Sequence, residues 1–381
     1  MPITAKILKR HCNILKPFAK RGVEFAIHGY VHTDFSHLSS DEQYNSFLRA
    51  LEIFDKCEIK STGFRNPYLR GNSGTYLAAK KMGFRWSSNK VISWNVLEEK
   101  NFPKRKWNNY KRALEFVYNY WDSEECLPIP ETNDNLVEIP ISMPDDEMLV
   151  DRLGITNRER LKEPWKQILI RAHQSGGLFV LQLHHERIPY CLPAVSFLLE
   201  KANSFEPKIW TASLGEIAEW WKEKNSYEFA YETSKGKEYN INIKGSRKSY
   251  LVFNNIKINP DNDVEPFING YNIMPLKNLR IPINPVIGVH PAAPIELINY
   301  LRDDGFLYEI SLFKDRYIIY LDGFQNFESR QRKDLLKFIE TSGYPILRVW
   351  RWPDKAASCL AITGDIDCLT LGDIIKRIFE F

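Results

Sequence analysis

Four short stretches of the sequence carry side chains that can do chemistry, and each follows an apolar run or lies in a predicted turn. They are His28 with His32, Arg65 to Tyr68, His184 with His185, and Asp365 with Asp367. Each stretch also has a purely structural interpretation, as a buried histidine, a turn or a helix cap. Their shared position at predicted strand ends favours a site, because α/β proteins build active sites from the carboxyl ends of several strands.

These residue types fit hydrolysis by a metal-activated water. Two neutral imidazoles and one carboxylate can hold a divalent metal that keeps a position open for water. Such a metal lowers the pKa of the water and polarises a bound carbonyl group. A second carboxylate can accept the water proton, and a histidine on the opposite wall can protonate the leaving group. An arginine beside the base keeps it ionised.

Short apolar strands and helices in alternation are predicted to position these groups. The run from Val23 to Ile27 predicts a buried strand that ends at His28. His32 follows four residues later, so one turn of chain places both imidazoles on the same side. A second apolar run, 178–184, also ends on a histidine. The alternation of helices and strands predicts a parallel α/β sheet or barrel.

The pattern changes near residue 226. From Tyr227 to about Ile283, short strand-like runs alternate with turns, and from Pro285 to Gly343 the sequence predicts strands and two helices. We therefore predict an α+β accessory module in this part of the chain. Residues 97–135 are polar and irregular, and they give no clear prediction.

Composition and charge narrow the class of protein. The chain of 381 residues is 44% hydrophobic and 26% charged, which is typical of a soluble globular protein. A net charge of +4 is too small to indicate nucleic-acid binding, and no apolar stretch is long enough to span a bilayer. The six cysteines include no CxxC pair, so we predict free, mostly buried thiols and a cytoplasmic location.

The motifs resemble those of polysaccharide deacetylases with a NodB-like domain. His28 and His32 resemble the family's His-x-x-x-His metal pair, and Arg65 to Tyr68 resembles its Arg-x-Pro-Tyr motif. Leu181 to His184 resembles its Leu-x-Leu-His strand. The family's first motif, a Thr-Phe-Asp-Asp strand, lies near the amino terminus, whereas the similar stretch here is 363–367. The resemblance implies an α/β fold, a NodB-like distorted (β/α) barrel that is circularly permuted.

The permuted order implies a connector between the two parts of the catalytic domain. Residues 1–225 are then the main part of a deacetylase-like domain, residues 226–345 are an inserted accessory module, and residues 346–381 complete the domain. Termini of compact domains often lie close together, so relocating them is tolerated. The family's fourth motif is represented only by Ser87 to Asn89 and Trp94, so the sequence does not identify the usual partner of His184 or Arg65.

Carried over position by position, the resemblance implies a role for seven residues. His28, His32 and Asp367 hold a divalent metal, with Zn²⁺ as the default; Asp365 is the general base; Arg65 orients Asp365; the backbone N–H of Tyr68 helps to stabilise the oxyanion; and His184 is the general acid.

The implied activity is removal of an acetyl group from an N-acetylated sugar or glycan. One alternative is an amidohydrolase that acts on a non-sugar C–N bond, such as a cyclic imide or a ureide. Another is a carbohydrate-binding protein with a degenerate, non-catalytic site. The sequence predicts no nucleic-acid partner, and it does not determine the sugar, the metal or the oligomeric state.

Overall fold

The computed structural model describes residues 1–117, 120–234, 238–258 and 263–378, so the end of the predicted segment 346–381 lies outside it. The helices are α1 (Ala5–Lys20), α2 (Ser40–Lys56), α3 (Ser73–Met82), α4 (Lys104–Phe116), α5 (Arg158–Gln174), α6 (Ile188–Ala202), α7 (Leu214–Asn225), α8 (Ile295–Asp303), α9 (Ser329–Thr341) and α10 (Leu371–Ile378). The strands up to α7 are β1 (Pro2–Ile3), β2 (Ala26–Ile27), β3 (Gly63–Phe64), β4 (Trp86–Ser87), β5 (Val91–Ser93), β6 (Tyr120–Asp122), β7 (Glu131–Asn133), β8 (Leu136–Glu138), β9 (Ile141–Met143), β10 (Leu178–His184) and β11 (Ile209–Thr211). Those after α7 are β12 (Glu228–Thr233), β13 (Tyr239–Lys244), β14 (Tyr250–Asn254), β15 (Glu265–Pro266), β16 (Asn272–Pro275), β17 (Leu279–Ile281), β18 (Ile287–Val289), β19 (Tyr308–Ile310), β20 (Tyr320–Leu321), β21 (Ile346–Val349) and β22 (Ser358–Asp365).

Two sheets carry most of the parallel pairing. One has the strand order β1-β2-β3-β4-β8-β7, and only its last pair, β7 with β8, is antiparallel. The other has the order β11-β22-β10-β9-β5-β6 and is parallel throughout. Helices alternate with these strands along the chain, as the sequence pattern predicts. The prediction of an α/β fold with parallel sheets is therefore confirmed.

The last long strand lies beside the first strand of the chain. β22 pairs with β10 along its length, and the register sets Asp365 opposite His184. Just beyond β22, a parallel bridge joins Ile366 to Ile3, and the Ile366 N–H donates to the Pro2 carbonyl at 2.9 Å. These contacts bring the carboxy-terminal aspartates to the strand ends at which His28 lies.

The segment between α7 and β22 forms three further sheets. Two of them, β12-β13-β17 and β15-β16-β14-β21, are antiparallel, and the third, β19-β18-β20, is parallel. Tyr227, Ile241, Leu251 and their neighbours form a separate apolar core in this segment. β21, which follows the predicted boundary at 345/346, pairs with β14 of this segment.

Local sequence signals explain where several helices begin and end. Capping boxes form at both α2 and α7, where Ser39 and Ser213 accept hydrogen bonds from the backbone N–H groups of Glu42 and Glu216. α3 ends at Gly83, which has a φ of +71°, in the left-handed region that glycine adopts without strain. Within the described ranges, no helix is long and apolar enough to cross a bilayer.

The cysteine prediction was wrong for one pair. Cys12 of α1 and Cys57 at the end of α2 form a disulfide, with their Cα atoms 5.7 Å apart. The two helices pack against each other, which brings together thiols 45 residues apart in the sequence. The other four cysteines remain thiols and are buried, as predicted. The cytoplasmic location stays a prediction.

Candidate metal centre and catalytic site

His28 and His32 lie where β2 ends. β2 is shorter than predicted, because only Ala26 and Ile27 pair with the neighbouring strands. Gly29 follows with a φ of +77°, and a Cβ there would meet the Val31 carbonyl oxygen at 2.9 Å, so the turn requires glycine. The turn places the two imidazole rings 5.2 Å apart, centroid to centroid.

Asp367 contacts both imidazoles. Its carboxylate lies 3.5 Å from Nε2 of His28 and 3.2 Å from Nε2 of His32. One potential ligand atom from each of the three residues lies within 4.8 Å of the others. Two histidines and one carboxylate are the donor set of many catalytic sites that hold a divalent metal.

A hydrogen bond fixes the tautomer of His28 in the form that a metal site requires. Nδ1 of His28 lies 2.8 Å from the Arg65 carbonyl oxygen, which can only accept, so Nδ1 carries the proton. Nε2 then faces Asp367 and Asp365 and is the ring atom available to a metal. Metal-binding histidines commonly donate their second ring N–H in this way, so the residues present fit a divalent metal.

Asp365 is buried next to the metal group and held by two donors. Arg65, itself fully buried, donates from Nη1 to one carboxylate oxygen at 2.7 Å, and Gln182 donates to the other at 2.9 Å. Burial by itself would raise the pKa of Asp365, but the Arg65 charge, with those of His28 and His184, holds the pKa below its usual range. Asp365 is therefore ionised at neutral pH.

Ser88 and Trp94, the only traces of the fourth motif in the sequence, lie near this group without supplying a carboxylate. Ser88 accepts hydrogen bonds from Arg65 through its carbonyl and its hydroxyl, at 3.3 and 3.2 Å. Trp94 donates to the Ser142 hydroxyl at 3.1 Å. Their contacts orient neighbouring residues, and the acidic partner of His184 comes from another part of the chain.

Asp146 is that partner, and the sequence analysis missed it. The fully buried Asp146 accepts from the His184 backbone N–H at 2.6 Å and from Nδ1 at 2.7 Å. Burial alone would lower the pKa of His184, but the hydrogen bond and charge of Asp146, with Asp145 and Asp365, raise it to about 10. His184 is therefore protonated at neutral pH.

Asp145 completes this second cluster, and it too was missed. Its carboxylate accepts from the Met148 N–H at 2.9 Å, and burial together with the charge of Asp146 raises the pKa of Asp145 to about 7. Asp145, Asp146 and His184 could also supply three ligand atoms. Since Asp146 engages the ring and the backbone of His184, this cluster has the form of a carboxylate–histidine dyad.

These groups open into a cleft of about 770 Å³. The cleft is lined by His28, His32, Tyr68, Leu69, Asn109, Arg112, Ala113, Phe116, Val117, Met143, Asp145, Glu147, Met148, Arg152, Gln182, His184, Glu186, Arg187, Asp365 and Asp367. The Tyr68 ring packs edge-on against the His32 ring, with centroids 4.5 Å apart. Arg65 lies behind the cleft wall and reaches the site through Asp365. The seven residues singled out from the sequence are thus brought together, and their catalytic roles remain predictions.

Comparison with known proteins finds a family model that resembles the amino-terminal segment. Residues 2–87, which carry His28, His32, Arg65 and Tyr68, match the family model of polysaccharide deacetylase. No curated protein matches the chain.

Three solved structures are similar over part of the chain, each with a TM-score of 0.43. One is named as a polysaccharide deacetylase from Mycobacterium smegmatis, with 20% identity over 57% of this chain and 69% of that chain. Another, from Pseudomonas aeruginosa PAO1, carries the same name, with 17% identity over 58% and 67%. The third is the Puue allantoinase, with 18% identity over 58% and 67%.

The solved structures are too distant to carry an argument about the family, so the resemblance rests on the match over residues 2–87. The resemblance predicted from the motifs, to a polysaccharide deacetylase-like hydrolase, is confirmed by this match.

Proposed function

We propose that the protein is a metal-dependent hydrolase that removes the acetyl group from an N-acetylated sugar or glycan. The observation that carries the proposal is the meeting of two distant parts of the sequence at one site. Asp365 and Asp367 lie within 3.7 Å of the imidazoles of His28 or His32, although more than 300 residues separate them in the sequence.

We propose further that the fold is a circularly permuted NodB-like barrel with an inserted module. Residues 1–225 and 346–381 form the catalytic domain, and residues 226–345 form the accessory module. The pairing of β22 with β10, together with the bridge from Ile366 to Ile3, supports a barrel in which the carboxy-terminal strand precedes β1. Part of the middle segment has its own apolar core, which supports its description as a module, while other residues of it, such as Ile287 and Leu297, pack into the core of the catalytic part.

His28, His32 and Asp367 are the residues that would hold the metal, and Zn²⁺ is our first choice for this donor set. When bound, the metal supplies Lewis acidity, which polarises the acetyl carbonyl and lowers the pKa of water. The protein holds the ligand side chains in fixed orientations. The hydrogen bond from His28 to the Arg65 carbonyl keeps the imidazole oriented, with Nε2 toward the other two ligands.

Asp365 acts as the general base. Arg65 and Gln182 hold its carboxylate in place and leave it ionised, so it can accept the proton of the attacking water at neutral pH. His184, the register partner of Asp365 on the neighbouring strand, is protonated and can donate its proton to the departing sugar nitrogen. The backbone N–H of Tyr68 is proposed to bind the oxygen of the acetyl carbonyl as negative charge develops there.

The test of this function is acetate release before and after metal removal. We expect metal-loaded protein to release acetate from N-acetylglucosamine oligomers, chelated and dialysed protein to release almost none, and Zn²⁺ to restore the rate. Acetate release that survives complete metal removal would contradict the proposal. Ring opening of a cyclic imide or ureide without acetate release would favour the amidohydrolase alternative.

Replacing Asp146 with asparagine is expected to move the upper pH limit of activity downward. His184 must be protonated to act as the acid, and Asp146 keeps its pKa near 10. Without that charge, burial dominates and the pKa falls toward or below its usual value of about 6.5. At about pH 8 we expect kcat/KM to fall by about tenfold or more, with a smaller loss at about pH 6. A uniform loss at every pH would instead indicate a purely structural role for Asp146.

A further inference from the structure

We propose that the cleft binds an N-acetylated sugar that also carries an acidic group, a carboxylate or a phosphate, and that Arg112 binds this group. This inference rests on the proposed function and names the class of substrate that the site takes. It arises from α4, which lies in the part of the sequence that gave no clear prediction and outside the segment matched by the family.

One face of α4 forms a wall of the cleft. Asn109, Arg112, Ala113 and Phe116 line it, and their spacing of three and four residues places them on one side of the helix. Trp107 and Tyr110, on another side, are buried in the core and anchor the helix. The lining face thus combines polar side chains with an aromatic ring.

The acidic side chains that line the cleft already have partners. Asp145 accepts the Met148 N–H, Glu147 pairs with Arg152, and Glu186 pairs with Arg187. In the centre, Asp365 pairs with Arg65, and Asp367 contacts the two imidazoles.

Among the charged side chains of the cleft lining, Arg112 differs from the acidic residues and from the other two arginines in its partners. Arg152 is paired with Glu147, and Arg187 is paired with Asp151 and Glu186. Arg112 is exposed and has no hydrogen bond or ion pair with any residue that the structure describes. A guanidinium is well suited to hold a carboxylate or phosphate through two parallel hydrogen bonds. The charge that Arg112 presents to the cleft is therefore available for a substrate anion.

The charge of α4 as a whole strengthens this assignment. The helix has five basic residues and one acidic residue, a net charge of +4, which equals the net charge of the entire chain. The charges of the rest of the chain therefore balance, and the excess positive charge lies on this helix, of which Arg112 is the basic residue that lines the cleft. Such a concentration attracts anions and raises their local concentration at the mouth of a site.

The aromatic end of α4 is fixed to the loop that carries Tyr68. Nη1 of Arg70 donates to the Phe116 carbonyl at 3.4 Å, and its guanidinium carbon lies 4.5 Å from the centroid of the Phe116 ring. The Tyr68 and Phe116 rings meet edge-on at 5.9 Å. These two rings offer an apolar surface for a sugar ring between the metal group and Arg112. The subsite is thus held in a fixed position relative to the catalytic centre.

The experiment compares matched neutral and acidic substrates on wild type, Arg112→Gln and Lys111→Gln. The neutral substrate is an N-acetylglucosamine tetramer. The acidic substrates are N-acetylglucosamine 1-phosphate and a tetramer that alternates N-acetylglucosamine with a uronic acid, so phosphate and carboxylate are distinguished. We expect Arg112→Gln to raise KM for an acidic substrate by about tenfold and to leave the neutral one within about twofold.

Lys111→Gln is the matched control, because Lys111 is also basic and on α4 but does not line the cleft. It removes the same charge, so a small equal effect of both variants would indicate only general attraction by the helix. We expect KM for the acidic substrate to rise between about 20 mM and about 300 mM salt in wild type and less in Arg112→Gln. Equal kcat/KM for neutral and acidic substrates, unchanged by Arg112→Gln, would overturn the inference.

A binding measurement separates this inference from the proposed function. Titration of the same three sugars into metal-loaded wild type and Arg112→Gln, followed by calorimetry, needs no turnover. If acidic sugars bind more tightly and Arg112→Gln removes the difference, the inference holds even where no acetate is released. If acetate is released without any preference for acidic sugars, the function holds and the inference fails. Binding to anionic lipid vesicles that both variants weaken equally, with no preference among sugars, would also overturn it.

Discussion

Replacing Asp365 with asparagine is expected to abolish turnover while leaving the metal bound. Asparagine has the same shape as aspartate but cannot accept the proton of the attacking water, and a positioned general base contributes about 10²- to 10⁴-fold to the rate. The three candidate ligands, His28, His32 and Asp367, are untouched by the change. We expect kcat to fall by about a thousandfold or more in an acetate-release assay, with unchanged metal content by mass spectrometry.

Two measurements show whether the loss of activity in Asp365→Asn comes from unfolding rather than from loss of the base. Arg65 is fully buried, and removing its charged partner leaves that charge less well compensated, so thermal unfolding of Asp365→Asn must be recorded. Asp134→Asn is the control, because Asp134 is exposed and pairs only with the exposed Lys80. It should retain full activity. Turnover at the wild-type rate in a folded Asp365→Asn variant would exclude Asp365 as the base.

Replacing His32 with alanine is expected to weaken metal binding strongly. The Nε2 atom of His32 is one of the three candidate ligand atoms, and its removal leaves one imidazole and one carboxylate to hold the ion. Even the loss of an outer partner of a ligand can weaken metal binding by about 10- to 100-fold. We therefore expect the dissociation constant for Zn²⁺, measured by competition with a chelating dye, to rise by about a hundredfold or more.

His37→Ala is the matched control for this variant. His37 lies five residues further along the chain, is 78% exposed and is paired only with Asp34 in the described structure. Its loss should change neither the metal content nor the rate. Full metal occupancy in His32→Ala after dialysis against chelator would remove His32 from the metal group. Activity should fall in parallel with metal content, because the proposed chemistry requires the ion.

The parts of the site that are short sequence motifs could be predicted. His28 and His32 follow an apolar run at a spacing that one turn bridges, and Asp365 and Asp367 end another such run, so residue types and strand ends were enough to single them out. Their meeting also required the fold, because the pairing of β22 with β10 and β1 is not encoded in any local pattern. The resemblance to a family, through its motif order, supplied that link.

Other features of the structure depend on tertiary contacts that no local sequence pattern predicts. Asp146 is one of two adjacent acids, with nothing in the sequence to separate it from exposed acids until His184 is seen to lie against it. The Cys12–Cys57 disulfide lacks a spacing motif and follows from the packing of α1 on α2. α4 was obscured by a polar sequence, because its buried face consists mainly of Trp107 and Tyr110.

The bridge between Ile3 and Ile366 also has a consequence for biosynthesis. More than 300 residues separate β1 from β22, so β1 is synthesised long before β22, and the strand edge beside His28 stays unpaired in that interval. Pairings so distant in sequence slow folding, and open strand edges promote aggregation. We therefore expect nascent chains of this protein to depend on chaperones until β22 has emerged, and the yield of folded protein to increase when translation is slowed by lower temperature.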